Sequence, residues 1–212
     1  MAPRKANQPT LTRADIVAAA LTLVDRDGLS KLSMRRLAAE LSMSPMSLYY
    51  HVPDKSALYD LILDAVMSEV DLSDDDPTHL VEERLIGIAY ALRRALLAHP
   101  NAVQLALSRS LRTPDQLRPV EALLGVLFEA GLDASNAMGV VNIVGQYVFG
   151  TAAAYANQTA DNEMQMPSDE DFSAITADRF PMVIRAMTEA APGGFDKDFE
   201  RGLTALVRGL LG

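Results

Sequence analysis

Leu37-Ala38-Ala39-Glu40-Leu41-Ser42-Met43-Ser44-Pro45-Met46-Ser47-Leu48-Tyr49-Tyr50-His51 is the stretch whose reading decides the fold. Leu37, Ala38 and Leu41 fall at helical spacing behind Ser33, whose hydroxyl can cap a helix start. Ser42-Met43-Ser44 breaks that pattern. Ser44 then supplies a second cap, and Pro45 takes the first helical position, where a missing N–H costs nothing. The expectation is two short helices, 33–41 and 45–51, joined by a tight turn: a helix-turn-helix with the second as recognition helix. Leu37, Ala38, Leu41, Met43 and Leu48 supply its packing, and the small Ala38 lets the two helices cross closely. Tyr49, Tyr50 and His51 end the recognition helix. Such a group can be half-buried core; because Leu48 already serves the core, their polar tips are free to reach phosphates.

Outward from this unit the chain reads as helix throughout. Thr12-Arg13-Ala14-Asp15 has the pattern of a capping box, Ile16, Ala19, Ala20, Leu23 and Val24 form one apolar stripe, and Gly28 ends the helix. Val52-Pro53-Asp54 restarts the chain with Asp54 as cap, and Leu58, Leu61, Ile62, Ala65 and Val66 mark a fourth helix over 55–70. Asp71-Leu72-Ser73-Asp74-Asp75-Asp76-Pro77 reads as a loop between a small head and a larger body. Beyond it, helices are expected at 78–99, 101–111, 114–130, 133–159, 172–190 and 196–211, with residues 160–170 as a polar loop around Pro167. The organisation is therefore a flexible arm (1–10), a head (11–70) and a body (78–212), all-α, with Ala, Leu, Val and Met dominant and aromatics at 6%.

Composition narrows the function. The 212 residues contain no Cys, which excludes disulfides, thiolate metal sites and cysteine nucleophiles. Met1-Ala2-Pro3-Arg4-Lys5 does not open a signal peptide, so the cytoplasm is the expected compartment. Between Asp133 and Asp161 no residue is charged, but Asn136, Asn142, Gln146, Asn157 and Gln158 and the acidic flanks argue for a helix buried between protein surfaces, not a membrane span. The net charge is −9, unevenly spread. Residues 1–60 hold eight of the 19 basic groups (Arg4, Lys5, Arg13, Arg26, Lys31, Arg35, Arg36, Lys55) and six of the 28 acids (Asp15, Asp25, Asp27, Glu40, Asp54, Asp60), a mildly basic head on an acidic body. No Gly-rich phosphate loop, metal-spaced His/Glu group or nucleophile elbow is present, which argues against an enzyme. The histidines, His51, His79 and His99, are scattered; His99-Pro100 reads as a helix end, and no metal or cofactor is expected.

The run from Leu37 to Ser44, followed by Leu48-Tyr49-Tyr50-His51-Val52 and Lys55-Ser56-Ala57-Leu58, resembles the DNA-binding domain of the tetracycline-repressor (TetR) family over roughly residues 11–60. Ser42 stands where that family usually has Gly at the turn. The resemblance implies that Ser33 and Arg35 approach double-stranded DNA from the second helix, with Arg35 suited to a guanine. It places Ser44, Pro45, Met46 and Ser47 against base edges, and Tyr49, Tyr50, His51 and Lys55 against phosphates. Arg36 is expected to be a solvated helix charge.

The body also resembles the tetracycline repressor, at Leu92-Arg93-Arg94-Ala95-Leu96-Leu97 and from Gly131 through Asn136-Ala137, Val144-Gly145 and Gly150. Alignment on these anchors puts Ala106 and Ala154 where that repressor has metal-site His and Glu residues, and Ile88 where an Asn grips the drug. A methyl group neither coordinates a cation nor orders its water, so a magnesium–tetracycline complex is not the expected effector. Tyr90, Gln104, Asn142, Gln146 and Tyr147 are the candidate ligand-binding residues, each of which could equally be a satisfied buried polar group. The resemblance implies a repressor released from a palindromic operator by a small molecule; because one short recognition helix reads too few base pairs, the chain is expected to be a homodimer paired through the uncharged helix at 133–159 and the final helix at 196–211. The fourth helix, beginning against the recognition helix and ending against the body, is expected to be the only rigid element linking pocket to DNA. A helix-turn-helix module without an inducer remains the alternative.

Overall fold

The structure is a computed structural model that describes residues 11–160, 176–189 and 194–212. Among these residues it contains ten α-helices and no strand: α1 (Arg13–Asp27), α2 (Met34–Glu40), α3 (Pro45–His51), α4 (Lys55–Ser68), α5 (Val81–Ala98), α6 (Val103–Ser108), α7 (Pro114–Glu129), α8 (Ala134–Ala160), α9 (Pro181–Glu189) and α10 (Phe195–Leu211). The arm at 1–10 and the loop expected at 160–170 lie outside the described residues, apart from Ala160 at the end of α8.

The head is built from local signals. Thr12 and Asp15 cap α1 reciprocally, with Asp15 N–H donating to Thr12 Oγ1 at 3.2 Å and Thr12 N–H to Asp15 at 2.8 Å. Ser33, Ser44 and Asp54 accept from the backbone N–H groups of Arg36, Ser47 and Ala57 at the starts of α2, α3 and α4. Each such cap is worth about 1 kcal/mol. The α2–α3 turn closes with Ser42 at φ 52°, a left-handed conformation that disfavours every side chain. Ile16, Leu23, Leu37, Leu48, Leu58 and Ile62 are fully buried, each stabilising the head by roughly 1.5–3 kcal/mol.

In the body α5 and α8 form the centre, α7 packs on both, and α10 lies against both. The uncharged α8 contributes Val140, Val141, Val144, Val148 and Ala152 to the core. A cluster ties it to α5 and α10. Tyr147 stacks on Phe199 with ring centroids 5.5 Å apart, and Tyr90 meets the same ring edge-on at 5.2 Å. The Arg93 guanidinium lies 4.5 Å from the Phe199 centroid and donates to Asp196 at 2.7 Å. α10 comes so close to α8 at Gly202 that a Cβ there would run into the Tyr147 hydroxyl, which would have to shift.

Three element boundaries differ from expectation. The helix placed at 78–99 begins at Val81, because Asp76 first accepts from Thr78 N–H in a turn and Glu83 reaches back to Leu80 N–H. The helix placed at 101–111 divides into a 3₁₀ turn, Pro100–Ala102, and α6, which stops at Ser108 as the backbone of Arg109 extends. The helix placed at 172–190 is seen as α9 from Pro181, preceded by a turn at 177–179.

Candidate nucleic-acid interface and adjoining cavity

Packing sorts the residues of α3 by face. Leu48 is fully buried, whereas Met46 and Tyr50 are 80% and 89% exposed, so apolar and aromatic surface is presented to solvent on the outer face. Ser44, Pro45, Ser47 and Tyr49 are exposed beside them, and His51 is half-buried with its ring edge-on to Tyr50. Ser44 and Ser47 also share a side-chain hydrogen bond of 2.8 Å, so their hydroxyls are ordered.

The basic residues nearby separate into free and engaged. Arg36 donates to Asp27 at 2.7 Å, and Arg26 makes paired hydrogen bonds to Glu40 as well as one to Asp27, so α1 and α2 are cross-braced. The expectation that Arg36 is merely solvated is therefore corrected; an acid one helix away neutralises it. Arg35 is exposed and, among the described residues, has no polar partner, which leaves its full set of donors unengaged. Ser33 is exposed, but its oxygen serves as the α2 cap. Lys55, at the start of α4, lies with its ammonium 5.2 Å from the Tyr59 ring centroid.

A cavity of about 190 Å³ opens where α4 meets the body. Its lining comprises Met67 from α4, Leu92 from α5, Leu111 from the α6–α7 loop, Pro119, Val120 and Leu123 from α7, and Val141, Asn142, Gly145, Gln146 and Phe149 from α8. Two of the five candidate ligand residues, Asn142 and Gln146, are thus brought together. The other three are elsewhere. Tyr147, a step round α8, donates its hydroxyl to the Asp198 and Phe199 carbonyls at 3.3 and 3.2 Å. Tyr90 packs on Phe199 and borders a separate cleft, with Asp71, Asp75, Arg84 and Arg94. Gln104 is exposed on α6. Burial raises the pKa of both Tyr90 and Tyr147 above that of an ordinary phenol. Ala106 and Ile88 are buried and Ala154 is exposed; none lines the cavity. Among the described residues no group of three His, Cys, Asp or Glu side chains could hold a metal.

The α6–α7 loop grips α4 while touching the cavity. Arg109 Nε donates to Asp60 at 2.6 Å and Arg109 Nη2 to Ser56 Oγ at 2.9 Å. Thr113 Oγ1 and Gln116 Nε2 donate to Asp64 at 2.5 and 2.6 Å. None of these contacts was foreseen, because about 50 residues separate the partners and no local pattern marks them. A second tie joins α1 and the end of α4 to the body. His99 caps α5 and holds Asp25 of α1 through Nδ1 at 2.8 Å and Glu69, just past α4, through Nε2 at 3.0 Å. Asn101 donates to the Asp25 carbonyl at 3.0 Å. Burial lowers the pKa of His99, but the hydrogen bonds to Asp25 and Glu69 outweigh it and hold the imidazole above its ordinary value. α4 is consequently not the sole link between head and body, as the sequence had implied.

Comparison with known proteins agrees with this arrangement. Residues 16–62 match the family model described as bacterial regulatory proteins, tetR family, and residues 74–212 match the tetracyclin repressor-like C-terminal domain. An HTH-type transcriptional regulator of Saccharopolyspora erythraea is 34% identical over 212 residues, spanning 96% of this chain and 86% of that protein. A possible TetR family transcriptional regulator from Streptomyces coelicolor A3(2) superposes with a TM-score of 0.83 at 27% identity, covering 94% of this chain and 98% of its own. The Streptomyces coelicolor TetR family protein ActR, solved in complex with actinorhodin, gives 0.78 at 29% identity, covering 96% and 97%. With its helix-turn-helix head and its helical body both matched, the chain belongs to the TetR family of DNA-binding transcriptional regulators.

Proposed function

We propose that the chain acts in the cytoplasm as a homodimeric repressor whose hold on a palindromic operator is relaxed by a small molecule in the cavity beneath α4. The observation that carries this is the course of α4 itself: it starts with Lys55 next to the recognition helix and places Met67 in the cavity wall. A ligand that displaces Met67 or Leu111 also displaces the helix that orients α3. If it prefers the conformer whose heads are wrongly spaced, a coupling of about 1–3 kcal/mol changes DNA affinity roughly 5- to 150-fold.

Two heads are needed because one short recognition helix reads few base pairs; a two-fold partner sets them about 34–36 Å apart. The pairing surface is the outer side of α8 and the end of α10, where Met138 and Ile143 are exposed apolar residues beside Gly139. In the complex, Arg35 takes a guanine edge and Ser44, Pro45, Met46 and Ser47 face bases, with Met46 offering its thioether chain to a thymine methyl. Tyr49, Tyr50, His51 and Lys55 fix the register on phosphates.

The test is a binding assay on an operator selected from random duplexes. Arg35→Ala should cost about 1–3 kcal/mol on the operator and relax one base pair. Lys55→Ala should weaken binding to all sequences and reduce the salt slope by roughly one unit. Equal losses on operator and random DNA for Arg35→Ala would remove its base-reading role. A monomer by light scattering at micromolar concentration would remove the two-headed mechanism.

A further inference from the structure

The chemistry of the cavity wall narrows what can occupy it. Among the described residues none of the lining side chains is ionisable. The ionic groups nearest the wall are committed or outside it: Arg109 pairs with Asp60 and Ser56, Asp64 of α4 accepts from Thr113 and Gln116, and Arg112, beside Leu111, is solvent-exposed and not part of the lining. At the apolar end of the slot, away from the exposed Asn142 and Gln146, a carboxylate or an ammonium would therefore lose its water without gaining a counter-charge. The wall's side-chain polarity is confined to Asn142 and Gln146, one helical turn apart on α8, with side-chain roots roughly 5–6 Å from each other. Both are carboxamides and can donate and accept. The remainder is Met67, Leu92, Leu111, Pro119, Val120, Leu123, Val141 and Phe149, an apolar slot. Its size sets a scale: a cavity of about 150 Å³ accepts benzene, and this one measures about 190 Å³.

We propose that the effector is a neutral, metal-free molecule of one or two rings, apolar over its faces, with hydrogen-bonding oxygen or nitrogen along the edge that meets Asn142 and Gln146. The inference rests on the reading of this cavity as the effector site. Gly145 supplies an independent check on that reading, because it lies on the wall between the two amides and an added Cβ would meet only the Phe149 ring edge, at 3.9 Å. A larger side chain at 145 consequently projects into the cavity while leaving the core in place.

The experiment is calorimetric titration of the full-length protein at neutral pH with three probes of similar outline: 2-naphthol, naphthalene and 2-naphthoate. Binding of 2-naphthol is expected, with naphthalene roughly three- to tenfold weaker for want of the hydrogen bond and 2-naphthoate at least tenfold weaker than the naphthol. The double variant Asn142→Leu/Gln146→Leu should erase the preference for naphthol over naphthalene while leaving naphthalene bound. Gly145→Leu should abolish binding of every probe, with the helical circular dichroism spectrum and the thermal unfolding midpoint as the controls for folding. Equal affinity for naphthoate and naphthol, or a preference for naphthol that survives in the double variant, overturns the neutral, edge-bonded ligand. No binding of any probe to the wild type, or unchanged binding to Gly145→Leu, overturns the cavity reading and the ligand class with it.

Discussion

Replacing His99 tests the seam between head and body. Its two ring nitrogens meet two carboxylates, Asp25 from α1 and Glu69 beside the end of α4, and only the imidazolium donates to both. The other helices packed against this corner, α6 and α8, bring no charged side chain. A charge-assisted hydrogen bond is worth about 1.5–3 kcal/mol when shielded. Here the His99 side chain is only 13% exposed, but Asp25 and Glu69 are 33% and 46% exposed, so solvent screening reduces the pair to about 1–2 kcal/mol in total. Because the folded-state pKa is raised, this stabilisation is fully present below the unfolded value of about 6.5 and is lost as pH rises through the folded value. His99→Gln keeps at most one of the two contacts and cannot titrate. Urea unfolding at fixed protein concentration, from about pH 6 to about pH 9, should therefore show wild type above His99→Gln by about 1–2 kcal/mol at the acid end. The gap should shrink steadily toward the alkaline end. Parallel curves, or a gap that widens with pH, would refute an imidazolium bridge.

Gly202→Ala should lower stability by about 1–3 kcal/mol, since the new methyl pushes the Tyr147 hydroxyl off the Asp198 and Phe199 carbonyls; Tyr147→Phe in the same chain should recover part of the loss in thermal unfolding. Ser42→Gly should stabilise the head by about 1 kcal/mol by relieving the left-handed turn without altering operator preference, as measured by denaturation and by DNA titration. Tetracycline should not release operator DNA at any magnesium concentration, because Ala106 and Ala154 offer no metal ligand; magnesium-dependent release in a gel-shift assay would overturn the carry-over of those positions.

The parts of the fold that were legible in the sequence are those fixed within four residues. Thr12, Ser33, Ser44 and Asp54 cap their helices because an oxygen three positions upstream of an orphan N–H needs no tertiary partner. Ser42 announced the turn in the same way. The candidate ligand residues were harder to sort, for a reason specific to α8. That helix is apolar on nearly every face, so its hydrophobic period carries no phase from which to tell which polar side chain looks into the body and which toward α10. Asn142 and Gln146 share a stripe at i and i+4, whereas Tyr147 is rotated about 100° from Gln146 and finds the α10 backbone. Arg109 and His99 were invisible for another reason: the acid of Arg109 lies 49 residues away in sequence and those of His99 lie 74 and 30 residues away. Long-range ion pairs leave no periodic trace.

The position of Met67 divides the cavity into walls that can evolve at different speeds. In the proposed effector slot, a substitution at Val120, Leu123 or Asn142 reshapes the wall from α7 or α8 without altering a side chain of α4 itself, and is expected to retune ligand preference with less effect on the regulated genes. A substitution at Met67 alters the slot from the helix that positions α3, so each step toward a new ligand is also a step in operator occupancy. Divergence among descendants of this chain should accordingly accumulate on the α7 and α8 walls and be purged at Met67, with new chemical signals acquired by old promoters more readily than the reverse.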